Sequence, residues 1–184
     1  MQTECPAGSP TEPVLTPRLV LSPVGPKDTA DLVLLYAAPQ VALWTGPWTP
    51  EAVAGWAANM AARWLADGVG KWMARDRCDG SLVGRGGFTR VDLDGETVLE
   101  LGWAVRDDRT GRGYATELGR AALGWAARHQ PDVPVVAYTE VHNHASRAVM
   151  GRLEMRHVAT IRREGLIEGR SGLHPDAPFS LYRL

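Results

Sequence analysis

The chain has 184 residues, which suits one α/β domain and is short for two. Apolar residues make up 45% and charged residues 22%, as in globular proteins and unlike disordered ones. A formal net charge of −1 excludes a broad electrostatic case for nucleic acid or an anionic membrane as partner.

Residues 1–13 hold three prolines and little apolar content, and read as a flexible tail ahead of one domain over 14–184. They lack the basic start and apolar run of a signal peptide, and no later apolar stretch reaches the ~18 residues of a membrane span, so a cytoplasmic protein is expected. Cys5 and Cys78 form neither a disulfide framework nor a zinc site. Lys27 and Lys71 are the only lysines among 20 basic residues, and this Arg, Ala and Gly bias suggests a GC-rich bacterial genome.

A first strand falls within Val14 to Leu21. Asp28 is placed to cap a helix to about Ala37, ahead of Pro39. Thr49-Pro50-Glu51 opens a second helix with a Thr cap, a first-turn proline and an acid at the positive end. That helix runs to about Ala66, stops at Asp67-Gly68, and carries an apolar stripe of Val53, Trp56, Met60 and Trp64. The period then changes to that of strands: Lys71 to Arg75, Leu82 to Arg90 after the Cys78-Asp79-Gly80 turn, and Thr97 to Val105 after Asp94-Gly95. A glycine-rich turn leads into a helix from about Tyr114 to His129. A buried strand from Pro134 to Tyr138, a helix from Ala145 to Leu153, and strands over Met155 to Ile167 and Phe179 to Leu184 follow. One mixed, mostly antiparallel sheet with helices on its faces accommodates this order.

The turn Thr110-Gly111-Arg112-Gly113-Tyr114-Ala115 joins a strand to a helix. Successive backbone N–H groups and the helix dipole make an anion site there that suits a pyrophosphate. Gly111 and Gly113 let backbone approach phosphate without a Cβ in the way. A Walker turn needs a lysine at the helix start, and none is present. A Rossmann turn needs a small third residue where Thr116 stands, and a βαβ unit where this chain has a meander.

Gly111-Arg112-Gly113-Tyr114-Ala115-Thr116-Glu117 resembles the acyl-CoA pyrophosphate loop of the GCN5-related N-acetyltransferases (the GNAT superfamily). It is most similar to the branch that includes the ribosomal-protein N-terminal (alanine/serine) acetyltransferases. Leu15 to Leu21, Leu82 to Phe88 and Asn143 to Met150 resemble three further signatures of that branch, in order. The resemblance covers roughly 14–184 and implies a single GNAT-type α/β domain with a splayed central strand pair. It also implies acetyl-CoA as cosubstrate, no metal, and transfer of acetyl to a primary amine on a protein N-terminus or a small molecule. A homodimer is common among such relatives. Two departures stand out: Thr110 replaces a frequent Gln or Arg, and Met150 stands where many relatives place a general-acid Tyr.

The resemblance places the acyl-donor contacts on Trp103, Ala104, Val105, Thr110, Gly111, Arg112, Gly113, Tyr114, Ala115, Asn143 and Ser146. The amine must lose a proton before attack, its pKa being ~10. Glu100, on the strand face opposite Leu99, Leu101 and Trp103, is the candidate base; its alternative reading is a solvated strand carboxylate. Ser146 is a candidate donor to the thiolate, or an ordinary first-turn serine. Asn143 is an N-cap that also stands near the pantetheine arm, or a cap alone. Backbone N–H groups near Trp103 to Val105 suit an oxyanion. Trp44 and Trp48, on a Thr-Gly-Pro loop, are candidate acceptor contacts, while Trp56 and Trp64 read as core. His142 and His144 lack a third ligand for a metal. The rivals are an acyl-CoA-binding sensor without catalysis, favoured by Met150, and a nucleotide-binding protein using the same turn.

Overall fold

A computed structural model describes residues 12–184; the expected tail lies almost wholly outside that range. Eight strands form one sheet: β1 (Val14–Leu15), β2 (Leu19–Pro23), β3 (Lys71–Asp76), β4 (Leu82–Leu93), β5 (Glu96–Val105), β6 (Val135–Glu140), β7 (Arg156–Gly165) and β8 (His174–Arg183). Their spatial order is β1-β2-β3-β4-β5-β6-β8-β7. Every neighbouring pair is antiparallel except β5–β6, which is parallel. Five helices complete the domain: α1 (Thr29–Ala37), α2 (Pro39–Thr45), α3 (Pro50–Asp67), α4 (Tyr114–His129) and α5 (His144–Arg152).

Most elements lie where the sequence pattern puts them, and the differences have local causes. The opening strand is two short pieces, because Thr16 and Pro17 interrupt it. Asp28 does not cap α1; its carboxylate turns back to accept from the Gly25 N–H at 3.0 Å. Thr49 does cap α3, accepting from Ala52 N at 3.2 Å, and Gly68 ends it in the left-handed region. The Trp44 segment is helix α2, not loop: Pro39 restarts a helix in the first-turn position that suits it.

Strand alternation sorts side chains onto two faces. Trp72, Phe88, Leu99 and Leu101 pack with Leu118, Ala122 and Trp125 of α4. On the opposite face Met73 and Ala104 pack with Leu32, Leu35, Val53 and Met60 of α1 and α3. Trp64, at the far end of α3, joins the first cluster, with its ring 5.0 Å from that of Trp72 and 5.7 Å from that of Trp125. Trp56 is only half-buried, and Ala57 takes the buried place in the α3 stripe.

Strands β5 and β6 pair only at Leu99–Val135 and Glu100–Val136. Beyond that point they diverge, so residues 101–105 have no strand neighbour on the β6 side. This splay opens a cleft in the middle of the sheet.

Candidate active site

A cavity of about 1500 Å³ fills the cleft. It is bounded by the diverging ends of β5 and β6, the α4 turn, the start of α5, and α2. Its volume exceeds the ~300–1,000 Å³ usual for one small ligand, so an extended molecule and a second one fit together.

The α4 turn forms one end. Gly111 (φ 73°) and Gly113 (φ 80°) occupy the left-handed region, where a side chain is strained. Among the described residues, no backbone hydrogen bond uses the N–H groups of Gly111, Arg112 or Gly113. The first N–H groups of α4 lack partners by helix geometry. A run of free donors at a positive helix end is what a pyrophosphate needs. Thr110 instead closes its own turn, with Oγ1 donating to Asp107 O at 2.8 Å. The Arg112 side chain is exposed and outside the cavity lining, while its carbonyl accepts from Arg18 at 3.0 Å. Arg109 reaches back to Ser81 Oγ at 2.9 Å and to Asp76 at 3.8 Å. Tyr114 donates its hydroxyl to Asp76 at 3.0 Å. The turn is thus braced from behind and its donors face the cleft.

On the other wall Asn143, buried, accepts from Ser146 N at 3.1 Å and so caps α5. Ser146 lines the cavity and its hydroxyl makes no hydrogen bond with the described residues. Met150 is buried beneath it. At the mouth, Trp44 of α2 approaches His142 with ring centroids 5.2 Å apart, so α2 and the β6–α5 turn meet across the opening.

Glu100 stands at the vertex of the splay, half-buried and lining the cavity. Three neighbours went unnoticed as site residues in the sequence. Tyr138, from β6, has its phenol pushed well above its usual pKa by burial and then by the charge of Glu100. Tyr138 therefore stays protonated beside that carboxylate. Lys71 leads β3, and its chain crosses β4 beside Gly87, where Nζ donates to the Gly87 carbonyl at 2.8 Å. A Cβ built on Gly102 would lie 3.3 Å from this Nζ and 3.9 Å from Glu100 Oε1, so ammonium and carboxylate face one empty methyl position. Burial lowers the Lys71 pKa to about 8; Glu100 opposes the shift, and Arg85 and Arg63 add to it. Arg85, one row further along β4, lines the same cavity. The sequence signal for Lys71 was thin: one of two lysines, just ahead of the apolar run Trp72-Met73-Ala74.

The two tryptophans expected at the acceptor end separate. Trp44 lines the cavity. Trp48 is outside its lining and stacks on Tyr36, with centroids 4.9 Å apart and planes at 16°. Trp56, expected in the core, lines the cavity in its place. Among the described residues no group of three or more His, Cys, Asp or Glu is arranged to hold a metal. No helix there is long and apolar enough to cross a membrane.

The β5–β6 cleft and the free donors of the α4 turn open into one cavity. Residues 18–156 match the family model described as "Acetyltransferase (GNAT) domain", and the chain belongs to that family. Over 90 residues it is 29% identical to the uncharacterized protein YkkB of Bacillus subtilis, a match covering 49% of this chain; the chain spans about half the length (52%) of that curated relative. An acetyltransferase structure from Agrobacterium tumefaciens is similar with a TM-score of 0.72 and 26% identity, covering 93% of this chain and 94% of that one. A ribosomal L7/L12 alpha-N-protein acetyltransferase in complex with coenzyme A shares the fold at a TM-score of 0.74 and 15% identity, covering 94% and 97%.

Proposed function

We propose that the protein transfers an acetyl group from acetyl-CoA to a primary amine by direct attack within a ternary complex, using the domain over 14–184. The observation that carries this reading is the splay beginning at Glu100, which joins a free-donor turn to a half-buried carboxylate in one cavity. The turn Gly111 to Ala115 holds the pyrophosphate, and Asn143 and Ser146 flank the pantetheine arm. Glu100 takes the proton from the acceptor ammonium, directly or through water. The amine nitrogen then bonds to the thioester carbonyl carbon, and the carbon–sulfur bond breaks. Backbone N–H groups of Trp103 and Val105, which share with Leu99 the strand edge turned toward β6 and have no strand partner there, stabilise the developing oxyanion. The departing thiolate, with a conjugate-acid pKa of ~8.5, needs only a weak proton donor, and Ser146 or water supplies it.

The buried Met150 leaves no phenol at that place in α5, so the leaving group depends on Ser146 or solvent. The ribosomal-protein branch is the finer reading, supported by the opening-strand and Asn-x-x-Ser motifs. Thermal shift tests the whole: acetyl-CoA and CoA raise the melting point, ATP and NAD do not, and thiol release follows addition of an amine. Ligand at a hundredfold its Kd adds ~2.7 kcal/mol. A shift with CoA but no thiol release with any amine selects the sensor reading. A shift with ATP or NAD alone selects the nucleotide reading.

A further inference from the structure

Lys71 and Arg85 are two cations on the acceptor side of the sheet for which amine acetylation gives no use. Both line the cavity, on the sheet face that packs under α1 and α3. Lys71 is 6% exposed, yet among the described residues no carboxylate lies within ion-pair distance of it or of Arg85. Arg85 spends Nε on the Tyr36 hydroxyl at 3.0 Å and lays its guanidinium over the Tyr36 and Trp56 rings, 5.5 Å from each centroid. Its two Nη groups make no hydrogen bond with the described residues, and Lys71 Nζ uses one of its three protons, on Gly87 O. Burying an ammonium with its nearest carboxylate, Glu100, beyond ion-pair distance is costly, and an oriented guanidinium with both Nη groups free is the fork that holds a carboxylate in two bonds.

The register supplies a scale. Glu100 pairs with Thr89, Gly102 with Gly87, and Ala104 with Arg85. Lys71 pairs with Gly87 from the other side of β4. Along the strands the order is therefore carboxylate, ammonium, guanidinium, with ~7 Å of backbone between rows. The Glu100 end faces the splay, where an amine would be acetylated, and the two cations lie one and two rows away. Gly102 has no side chain to obstruct that path.

We infer that Lys71 and Arg85 form an anion subsite for the acceptor, so that the amine acetylated at Glu100 belongs to a molecule that also carries a carboxylate. This rests on the acetyltransfer reading above and narrows its substrate class. An α-amino acid presents its carboxylate within reach of Lys71. A peptide with an acidic first residue presents one to either cation. A neutral or purely cationic acceptor would leave the buried Lys71 and the half-buried Arg85 without an ion-pair partner.

The test uses matched acceptor pairs with the full-length protein and acetyl-CoA: L-α-amino acids against their carboxamides, and C-terminally amidated Glu-Ala-Ala against Gln-Ala-Ala. The carboxamide amine is the weaker base and loses its proton more readily, so intrinsic chemistry favours the neutral member. The expected result is a kcat/KM at least tenfold higher for the acid member of one pair, with the difference in KM. The pair that shows it tells amino acid from acidic peptide. In Lys71→Met and Arg85→Gln the acid-to-amide ratio falls toward one, and a retained thermal shift with acetyl-CoA certifies the fold of each variant. Equal or better use of the amides by the wild type overturns the subsite. So does an acid preference that survives in both variants, or acetyl-CoA binding with no turnover of any carboxylate-bearing member. Absence of any acetyl-CoA shift or thiol release would instead overturn the acetyltransfer reading, and the subsite with it.

Discussion

The guanidinium of Arg18, on β2's approach, and the carboxylate of Glu117, in the first turn of α4, meet at 2.6 Å. The same carboxylate accepts from Thr16 Oγ1 at 2.6 Å and from Arg18 N at 2.8 Å. Arg18 also holds the Arg112 carbonyl. One acid thus ties the opening strands to the α4 turn and fixes the side of the turn away from the cavity. Burial works against the ionised form of Glu117, but the bonds from Thr16 and Arg18 outweigh it and hold its pKa below 4.5.

Glu117→Gln loses the ionic part of this tie. With Arg18 about half exposed, solvent screening limits the cost to about 1–2 kcal/mol. Because the folded pKa is depressed, the stabilisation is complete above the unfolded value and fades as pH falls through the folded one. Urea midpoints of the two proteins separate at pH 7 and converge below pH ~4. A constant gap across that range rejects the assignment.

Removing the base at the splay has a different signature. Glu100→Gln keeps shape and hydrogen bonding but cannot take a proton, and kcat falls by about 100-fold or more. Acetyl-CoA binding, centred on the α4 turn, is retained in a thermal-shift measurement. Unchanged turnover would remove Glu100 from the mechanism.

The α4 turn was legible because its chemistry is local: glycines at fixed spacing before a helix announce both conformation and ligand. The alternation of β5 was equally local and put Glu100 opposite Leu99 and Leu101. Lys71, Arg85 and Tyr138 were not legible, because their place beside Glu100 exists only after four strands, β3 to β6, align. Gly102 and Lys71 are far apart in sequence, and nothing local says that Lys71 ends beside Glu100. Trp48 and Trp56 exchanged places for a related reason. The Trp48 ring packs on Tyr36 of α1 and donates its indole N–H to Thr45 O at 3.1 Å, at the end of helix α2, which the pattern before Pro50 did not disclose.

Gly102 offers a probe of the acceptor end alone. A methyl there would lie 3.3 Å from Lys71 Nζ, close enough that the flexible lysine end must shift slightly. Gly102 is not among the positive-φ glycines, so Gly102→Ala folds with little strain. The methyl narrows the space between Glu100 and Lys71, and acceptor KM rises about tenfold. The KM for acetyl-CoA stays within error. A variant in which both constants rise together would place Gly102 on the donor side.

Lys71 makes the last prediction, through the pH dependence of folding. Burial sets its pKa at about 8, against 10.5 for an unburied lysine. Below pH 8 both folded and unfolded chains carry the proton, and the folded state bears the full cost of a buried ammonium. Between about 8 and 10.5 the unfolded chain still holds the proton that the folded chain has released, so stability rises with pH. Above 10.5 neither state holds it and the gain is complete. At ~1.4 kcal/mol per pKa unit the rise is about 3 kcal/mol. Lys71→Met has no such proton, while every other titratable group is the same in both proteins. Urea midpoints measured from pH 7.5 to 10.5 therefore climb for the wild type relative to Lys71→Met; parallel curves would mean that Lys71 is solvated and that the cation under α3 is not buried at all.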